Sequence, residues 1–214
     1  MVNFKDIKKY CINLPQAKER RAKVEKEFAR MGIEVEFING ICYPEDIDGY
    51  RGNTATHLKI LQQAVKDDLK YICLFEDDVA FADDFWSRVN LNYKFDIFYL
   101  GGHSLSFNFT KTKEKNIYRV ILIGGTYAVI YNRKAIDFMV KYMTEDSGAD
   151  AFVGNVACRK LNAIAQLPFM VYTDDKYSWI TRKESNLSNP LWQYEPKWDK
   201  NKEYELKKTS YENT

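Results

Sequence analysis

An alternating pattern of strand-like and helix-like segments predicts one α/β domain with a mixed, mostly parallel central sheet. Short apolar runs recur along the chain, and segments with apolar residues at helical spacing separate them. The chain has 214 residues, of which 45% are hydrophobic, and this suits one globular domain. No linker divides the sequence, so we predict a domain over residues 1–180 and a polar, aromatic-containing tail over 181–214.

The first forty residues predict a strand, a helix and a second strand. The apolar run 7–14 is typical of a strand, and Pro15 after it suits the first turn of a helix. Segment 16–31 has apolar residues at helical spacing, and Gly32 is a helix stop. Apolar residues then alternate with glutamate over 33–37, which is the period of a strand.

A polar, glycine-containing loop over 39–53 leads to a second helix, which we expect Asn53 or Thr54 to cap. Apolar residues recur along one face of this helix: Ala55, Leu58, Leu61, Ala64 and Val65. The nearly continuous apolar run 69–75 predicts a buried central strand.

The second half predicts three further strands before a helix. A short helix is expected near Asp83 or Asp84, followed by a strand over 95–100 and an aperiodic loop over 104–116. Strands are then expected on either side of Gly124 and Gly125, over 117–123 and 126–131.

The last predicted elements are two helices and a strand. Asn132 is expected to cap a helix over 133–143. A second helix is expected to open at Asp150 and run to Lys160, and an apolar strand over 163–172 is interrupted by Pro168.

Composition and patterning argue against several classes of protein, although a local basic groove stays open. The 32 basic and 30 acidic residues give a net charge of +2, which does not support a general nucleic-acid or membrane-surface binder. No apolar run approaches the roughly 20 residues of a membrane span, and residues 1–9 lack the apolar stretch of a secretory signal, so a cytoplasmic location is expected. The cysteines show no metal-binding or disulfide spacing, and Cys11 and Cys73 are expected to be buried thiols.

Three carboxylates, Glu76, Asp77 and Asp78, directly follow the predicted central strand. Ligands of open α/β sheets bind at the carboxyl ends of strands. Crowded carboxylates repel one another, and a divalent cation such as Mn²⁺ or Mg²⁺ would relieve this while also binding substrate phosphates. An ordinary acidic loop or a helix N-cap cluster is the alternative.

Several short motifs follow one another in a fixed order. They are Cys11-Ile-Asn-Leu-Pro15, Glu19-Arg20-Arg21, Phe37-Ile-Asn-Gly40, Thr56-His57-Leu58, Leu74-Phe-Glu-Asp-Asp-Val79, Asp96-Ile-Phe-Tyr-Leu-Gly101 and the segment from Gly125 to Ala135. Together this ordered set resembles glycosyltransferase family 25, the lipooligosaccharide and collagen galactosyltransferase group, over roughly residues 7–180. The sequence departs from the family where Asn53 and Thr56 replace a Cys and a Ser, and where Trp179 replaces an acid.

The resemblance implies a GT-A-like nucleotide-sugar-binding domain with transferase activity. The expected reaction moves a hexose, galactose or glucose, from a UDP-sugar to a hydroxyl acceptor with Mn²⁺ or Mg²⁺ as cofactor. By this resemblance Asp78 is the direct metal ligand, Glu76 faces the ribose or the metal, and Asp77 orients the site.

Four further residues are candidates for binding the donor. Arg20, one turn into a helix, could hold the pyrophosphate through two hydrogen bonds, or it could be a solvated arginine. Asn13 could bind the nucleobase or cap the helix that follows it. His57 could contact the donor, although a lone helical histidine is more often structural. Backbone at Gly125 could approach the sugar, or turn geometry could explain this glycine.

Asp150 is the candidate general base, which would take a proton from the acceptor hydroxyl. Its alternative role is to N-cap the helix that it opens. Asp174 and Asp175 are reserve candidates for the base, and His103 is a candidate for the acceptor cleft.

Other functions stay open at this stage. The chain could be a non-catalytic nucleotide- or sugar-binding module, or a metal-dependent phosphotransferase or nuclease. The acceptor of a transferase could be an oligosaccharide, a protein or a modified nucleobase, and the last has a weak hint in Lys111, Lys113 and Lys115.

Overall fold

A computed structural model describes residues 2–44, 49–173, 177–178 and 183–184, with the side chains at 103–107, 177–178 and 183–184 left undescribed. The strands are β1 Lys8–Asn13, β2 Glu36–Asn39, β3 Tyr71–Glu76, β4 Val79–Phe81, β5 Ile97–Lys111, β6 Ile117–Asn132, β7 Ala163–Gln166, β8 Val171–Thr173, β9 Tyr177–Ser178 and β10 Lys183–Glu184. The helices are α1 Lys18–Met31, α2 Tyr50–Lys66, α3 Phe85–Arg88 and α4 Arg133–Tyr142, with short 3₁₀ turns at Phe4–Asp6 and Glu145–Ser147. A further helix, called the 149–160 helix below, joins α-helical turns Ala149–Ala151 and Cys158–Lys160 through a π-helical part, Phe152–Ala157.

Six strands form the central sheet in the order β2-β1-β3-β6-β5-β7. The pairings β1–β2, β1–β3 and β5–β7 are parallel, whereas β6 runs antiparallel to β3 and β5. The predicted fold class, a single α/β domain with a mixed and mostly parallel sheet, is confirmed.

Helices cover both faces of this sheet because its central strand is apolar on both. In β3, Ile72 and Leu74 belong to the core cluster that includes residues of α2 and α4. Their neighbours Cys73 and Phe75 belong to the cluster that includes residues of α1 and α3. Alternate side chains of a strand point to opposite faces, so β3 is buried on both sides as its apolar run predicted.

The first βαβ unit forms as predicted, except that α1 begins at Lys18 and not at 16, and β2 begins at Glu36 and not at 33. Cys11 of β1 lies between Phe37 of β2 and Phe75 of β3 in parallel register. Helix α1 ends at Gly32, whose φ of 61° is left-handed. Pro15 lies in a turn and not in the first helical turn, because the Ala17 N–H donates to the Leu14 carbonyl before α1 begins at Lys18.

Helix α2 begins earlier than predicted. Gly49 is its N-cap residue, so Asn53 and Thr54 lie inside the helix and do not cap it. The early turns pack closely on the loop after β2, where a Cβ on Gly52 would lie 2.2 Å from the Ile41 carbonyl oxygen. The Ile41 N–H donates to the Thr56 hydroxyl at 2.8 Å, which joins the loop to the helix.

Strands β5 and β6 form a long antiparallel pair where a loop and two strands were expected. β5 continues for 15 residues to Lys111, and β6 runs for 16 residues through Gly124 and Gly125. Register shifts between β5 and β6 and a φ of 72° at Gly125 allow the pair to continue past the glycines. The prediction of a loop over 104–116 is therefore wrong for most of its length.

The predicted strand over 163–172 is divided between two sheets. β7 joins the central sheet beside β5, whereas β8 pairs antiparallel with β4, which immediately follows the acid triplet. A cis peptide bond before Pro168 lies between them. Helix α4 is capped as predicted, because the Asn132 side chain accepts the Ala135 N–H.

No helix in the described part of the chain is long and apolar enough to cross a membrane. Cys11 and Cys73 are buried, as expected of core thiols. Residues 174–176, 179–182 and 185–214 lie outside the described residues, and so do the predictions made for Asp174, Asp175, Trp179 and the tail.

Candidate active site

The three acidic residues occupy the turn between β3 and β4. β3 ends at Glu76, and Asp77 and Asp78 form the turn before β4 begins at Val79. Asp77 is buried, whereas Glu76 and Asp78 are half-buried. Because a strand and not a helix follows, the helix N-cap interpretation is wrong, and the burial of Asp77 also argues against an ordinary exposed loop.

Arg20 binds two of these acids. Its Nη1 lies 3.0 Å from Asp77 Oδ1, and its Nη2 lies 2.7 Å from Asp78 Oδ2. The Arg20 side chain is 14% exposed, so it is not the solvated arginine of the alternative interpretation. The first turn of α1 thus carries a guanidinium into the site, where it neutralises part of the acid charge.

Asn13, at the carboxyl end of β1, orients Asp77. Its Nδ2 donates to Asp77 Oδ2 at 2.6 Å, across the parallel pair of β1 and β3. The N-cap residue of α1 is Ala17, which receives no side-chain capping bond, so Asn13 does not cap this helix. A contact between Asn13 and a nucleobase stays a prediction.

The Asp150 carboxylate lies beside Glu76, joined to it through one hydroxyl. Thr126 of β6 donates a short hydrogen bond to Asp150 Oδ1, and its hydroxyl also lies 3.4 Å from Glu76 Oε1. The N-cap residue of the 149–160 helix is Gly148, so the alternative N-cap role of Asp150 is wrong. Asp150 is half-buried.

Three contacts fix the 149–160 helix against the rest of the domain. The Ala149 N–H donates to the Thr54 hydroxyl of α2 at 2.9 Å. A Cβ on Gly154 would lie 1.9 Å from the Ile123 carbonyl oxygen of β6, so only glycine permits this approach. At the other end, Arg119 donates to the Leu161 carbonyl at 2.6 Å. Short π-helical segments, such as Phe152–Ala157 in this helix, are frequent at functional sites.

The Arg20 guanidinium shares the site with four carboxylates. These belong to Glu76, Asp77, Asp78 and Asp150. Removal from water, followed by repulsion from Asp150, Asp78 and Asp77, raises the pKa of Glu76 well above its usual range, and Arg20 opposes this only in part. Burial also raises the pKa of Asp77, against the lowering effects of Arg20 and Asn13. Burial and mutual repulsion therefore disfavour the ionised forms of Glu76 and Asp77.

The donor chemistry of these residues fits a hard divalent cation, since Mg²⁺ and Mn²⁺ prefer carboxylate oxygens. Within the described ranges, however, no three His, Cys, Asp or Glu side chains surround one point as a complete metal site. Glu76 and Asp78 are thus candidate ligands whose set would be completed by phosphate oxygens or water.

The remaining predicted residues lie near the site in different ways. His57 is 1% exposed, and burial lowers its pKa to about 4 against the opposing effect of the Asp150 charge. The ring is therefore neutral at pH 7 and lies close to Asp150, and its contact with a donor stays a prediction. Gly125 has a left-handed φ within β6, where it precedes Thr126. The side chain of His103 lies outside the described part of the structure.

Sequence reasoning did not foresee the roles of Thr126 and Thr54. The hydroxyl of Thr126 meets Glu76 only because β6 inserts antiparallel beside β3, fifty residues away in sequence. The available signal was a threonine directly after two strand glycines, in a segment already matched to the family. Thr54 was considered only as a helix cap, whereas it holds the backbone at Ala149.

Comparisons with solved structures show weak likeness over most of the chain. A glycosyltransferase involved in the glycosylation of the major capsid of PBCV-1 is 11% identical with a TM-score of 0.44, covering 75% of this chain and 81% of that one. A197 from STIV is 13% identical with a TM-score of 0.44, covering 74% and 81%. The inositol-1-phosphate CTP transferase from T. maritima is 11% identical with a TM-score of 0.43, covering 75% and 85%.

Sequence comparison gives a more specific result. The lipooligosaccharide biosynthesis protein lic2B of Haemophilus influenzae is 27% identical over 133 residues, covering 50% of this chain and 49% of the relative. The chain therefore spans about half the length of this curated relative. The family model described as glycosyltransferase family 25 (LPS biosynthesis protein) matches residues 47–155, which is just over half of the chain and includes the acid triplet, Thr126 and Asp150. The chain belongs to glycosyltransferase family 25.

Proposed function

We propose that this chain is a metal-dependent glycosyltransferase that transfers a hexose, galactose or glucose, from a UDP-sugar to a hydroxyl acceptor. The observation that carries the proposal is the cluster of Glu76, Asp78 and Asp150 at the carboxyl edge of the sheet, in a chain of this family. The raised pKa of Glu76 indicates a surplus of negative charge there, which a cation and its bound diphosphate would use.

The acid triplet and Arg20 would form the donor side of the site. Glu76 and Asp78 are the residues that would hold Mn²⁺ or Mg²⁺, and the ion would stabilise the charge that develops on the leaving diphosphate. Arg20 binds both Asp77 and Asp78, and Asn13 binds Asp77, so these contacts would limit reorganisation of the two carboxylates when the donor binds. Arg20 also adds positive charge beside the place proposed for the diphosphate.

Asp150 would form the acceptor side. As the acceptor oxygen attacks the anomeric carbon, the bond from that carbon to the diphosphate oxygen breaks, and the Asp150 carboxylate takes the hydroxyl proton. The Thr126 hydroxyl contacts both Glu76 and Asp150, so the proposed base lies next to the acid triplet. The base role corresponds to an inverting reaction.

The acceptor is proposed to be a saccharide. The name of the Haemophilus relative, a lipooligosaccharide biosynthesis protein, supports this choice. A modified nucleobase or a protein hydroxyl is the alternative, and its weak support is an exposed basic segment that contains Lys111, Lys113 and Lys115.

Binding of UDP with and without Mn²⁺ tests the donor side directly. Isothermal titration of the wild-type chain is expected to show UDP affinity that rises at least tenfold with Mn²⁺, and Asp78→Ala is expected to abolish this rise. Asp83→Asn is the matched control, because this aspartate lies five residues away with a side chain 91% exposed. UDP affinity indifferent to both Mn²⁺ and Asp78→Ala would contradict the metal-dependent proposal.

A hydrolysis screen distinguishes the enzyme from a binding module. UDP-, GDP-, CMP- and TDP-sugars are incubated with the chain and Mn²⁺, and free sugar is measured. We expect release from UDP-galactose or UDP-glucose. A chain that binds nucleotide but releases no sugar from any donor, with or without an acceptor saccharide, is a non-catalytic nucleotide- or sugar-binding module.

A further inference from the structure

The Asp150 side chain needs a partner that turns it inward. It lies in the first turn of the 149–160 helix, directly after Gly148 and Ala149, and it is only half-buried. A free aspartate at such a position samples several rotamers, and ordering it costs conformational entropy. A base must instead stay within hydrogen-bond reach of the proton that it removes.

The hydroxyl of Thr126 supplies this partner. Thr126 is 2% exposed and lies in β6 two residues before Ala128, which pairs with Phe75 of β3 and Gly101 of β5. A hydroxyl carries one hydrogen, and its contact with Glu76 Oε1, at 3.4 Å, is long for an O–H···O hydrogen bond, whereas Asp150 Oδ1 lies within hydrogen-bond reach. The hydrogen bond is therefore donated to Asp150, and the carboxylate is held on the side of the site where Glu76 lies.

The backbone that carries Asp150 is held by other contacts. The Ala149 N–H is bound by Thr54, and Gly154 packs against the Ile123 carbonyl of β6. Loss of the Thr126 hydroxyl would therefore free the carboxylate without releasing the helix. This separation makes the effect of Thr126 on orientation distinguishable from an effect on folding.

We propose that Thr126 is a positioning residue, which holds the Asp150 carboxylate in the orientation that proton removal from the acceptor requires. The inference rests on the proposed function, in which Asp150 is the base. Thr126 acts through Asp150 and takes no proton itself. Misplacement of a catalytic group by about 1 Å can cost about 100-fold in rate.

Two substitutions of nearly equal size test the proposal. Thr126→Val keeps the shape and removes the hydroxyl, whereas Thr126→Ser keeps the hydroxyl and removes a methyl group. Thr126→Val is expected to lower kcat about 10- to 100-fold with the donor KM within about twofold, and Thr126→Ser to stay within about threefold of wild type. A wild-type kcat in Thr126→Val, or equal loss in both variants, would overturn the inference.

Two further measurements separate this inference from the proposed function. In the Asp150→Asn background, Thr126→Val is expected to cause no further loss, because Thr126 acts only through Asp150. Crystal structures of the wild type and Thr126→Val are expected to show the carboxylate turned away from Glu76 in the variant alone. An inactive wild type would defeat the proposed function, whereas an unchanged Asp150 orientation in the variant would defeat this inference whatever the activity.

Discussion

Two carboxylates at opposite ends of the central sheet have opposite environments. Asp96, just before β5, accepts hydrogen bonds from Asn132 Nδ2 at 3.0 Å, Lys134 Nζ at 2.9 Å and the Asn162 N–H at 2.9 Å. These bonds lower its pKa despite burial. Glu76, at the carboxyl end of β3, has a threonine hydroxyl at 3.4 Å and three acids near it, and its pKa is raised.

The difference separates a carboxylate that stabilises the fold from one whose charge is repelled by its neighbours. Asp96 joins the start of β5 to the start of α4 and to the segment before β7, so its charge contributes to folding. The charge of Glu76 is repelled by three neighbouring carboxylates, which costs stability. Natural proteins retain such unfavourable local arrangements chiefly at functional sites. Substitutions of Asp150, Asp96 and Glu76 test whether the acids at the two ends of the sheet have different roles.

The largest expected effect is the loss of catalysis in Asp150→Asn. An amide cannot take the acceptor proton, so kcat is expected to fall about 10²- to 10⁴-fold while the thermal midpoint changes little. Steady-state transfer and thermal unfolding measure the two quantities. The control is Asp146→Asn, an aspartate with a side chain 82% exposed that pairs with Arg51. A loss of less than about tenfold in Asp150→Asn would remove Asp150 from the mechanism.

Asp96→Asn is expected to lower the free energy of unfolding by about 2 kcal/mol, because hydrogen bonds to a charged acceptor contribute about 1.5–3 kcal/mol. Its kcat and KM are expected to remain at wild-type values. Urea unfolding at pH 7 measures the stability change. A wild-type free energy of unfolding in Asp96→Asn would show that the charge of Asp96 does not stabilise the fold.

Glu76→Gln is expected to change stability in the opposite direction. Removing a half-buried, repelled charge is expected to leave the free energy of unfolding unchanged or to raise it by about 1 kcal/mol, while transfer is lost. The same urea titration measures the change, and Mn²⁺-free buffer keeps metal binding out of the comparison. A stability loss as large as that of Asp96→Asn would make Glu76 a structural residue.

The smallest expected effect is the pH dependence of these two stability differences. The folded pKa of Asp96 is depressed, so its contribution is present above the ordinary pKa of about 3.9 and is lost as pH falls through the folded value. The folded pKa of Glu76 is raised, so the wild type loses stability as pH rises above about 4.3. The gain in Glu76→Gln should therefore grow with pH, and the deficit in Asp96→Asn should shrink in acid. Unfolding measured from pH 3 to 8 gives the free energy of unfolding of each variant and of the wild type as a function of pH. If either pKa direction were wrong, the curve of that variant would run parallel to the wild-type curve.

Local signals predicted the elements that depend on local physics. The strand before Pro15, the helix end at Gly32 and the Asn132 cap are decided by backbone conformation and short-range hydrogen bonds. The apolar run before Glu76 gave the central strand, and with it the edge of the sheet where the acids lie. These features need no knowledge of which strands are neighbours.

The errors lie where distant pairing decides the structure. The glycines at 124–125 interrupt an isolated strand, but register shifts against β5 absorb them in the sheet. The start of α2 is set by its approach to Ile41, eleven residues before Gly52. The contacts of Thr126 and the pairing of Arg20 with Asp77 and Asp78 likewise depend on strand order and side-chain packing, which no local pattern contains.

Gly154 has no functional group, yet its absent side chain determines how near the acid-bearing helix lies to the sheet. A mutational scan scored by activity alone would rank it beside Asp150, and parallel measurement of thermal stability would be needed to tell them apart. Any related protein with a larger residue at this position must separate the two backbones. Its counterpart of Asp150 would then lie farther from the carboxylates that follow the central strand.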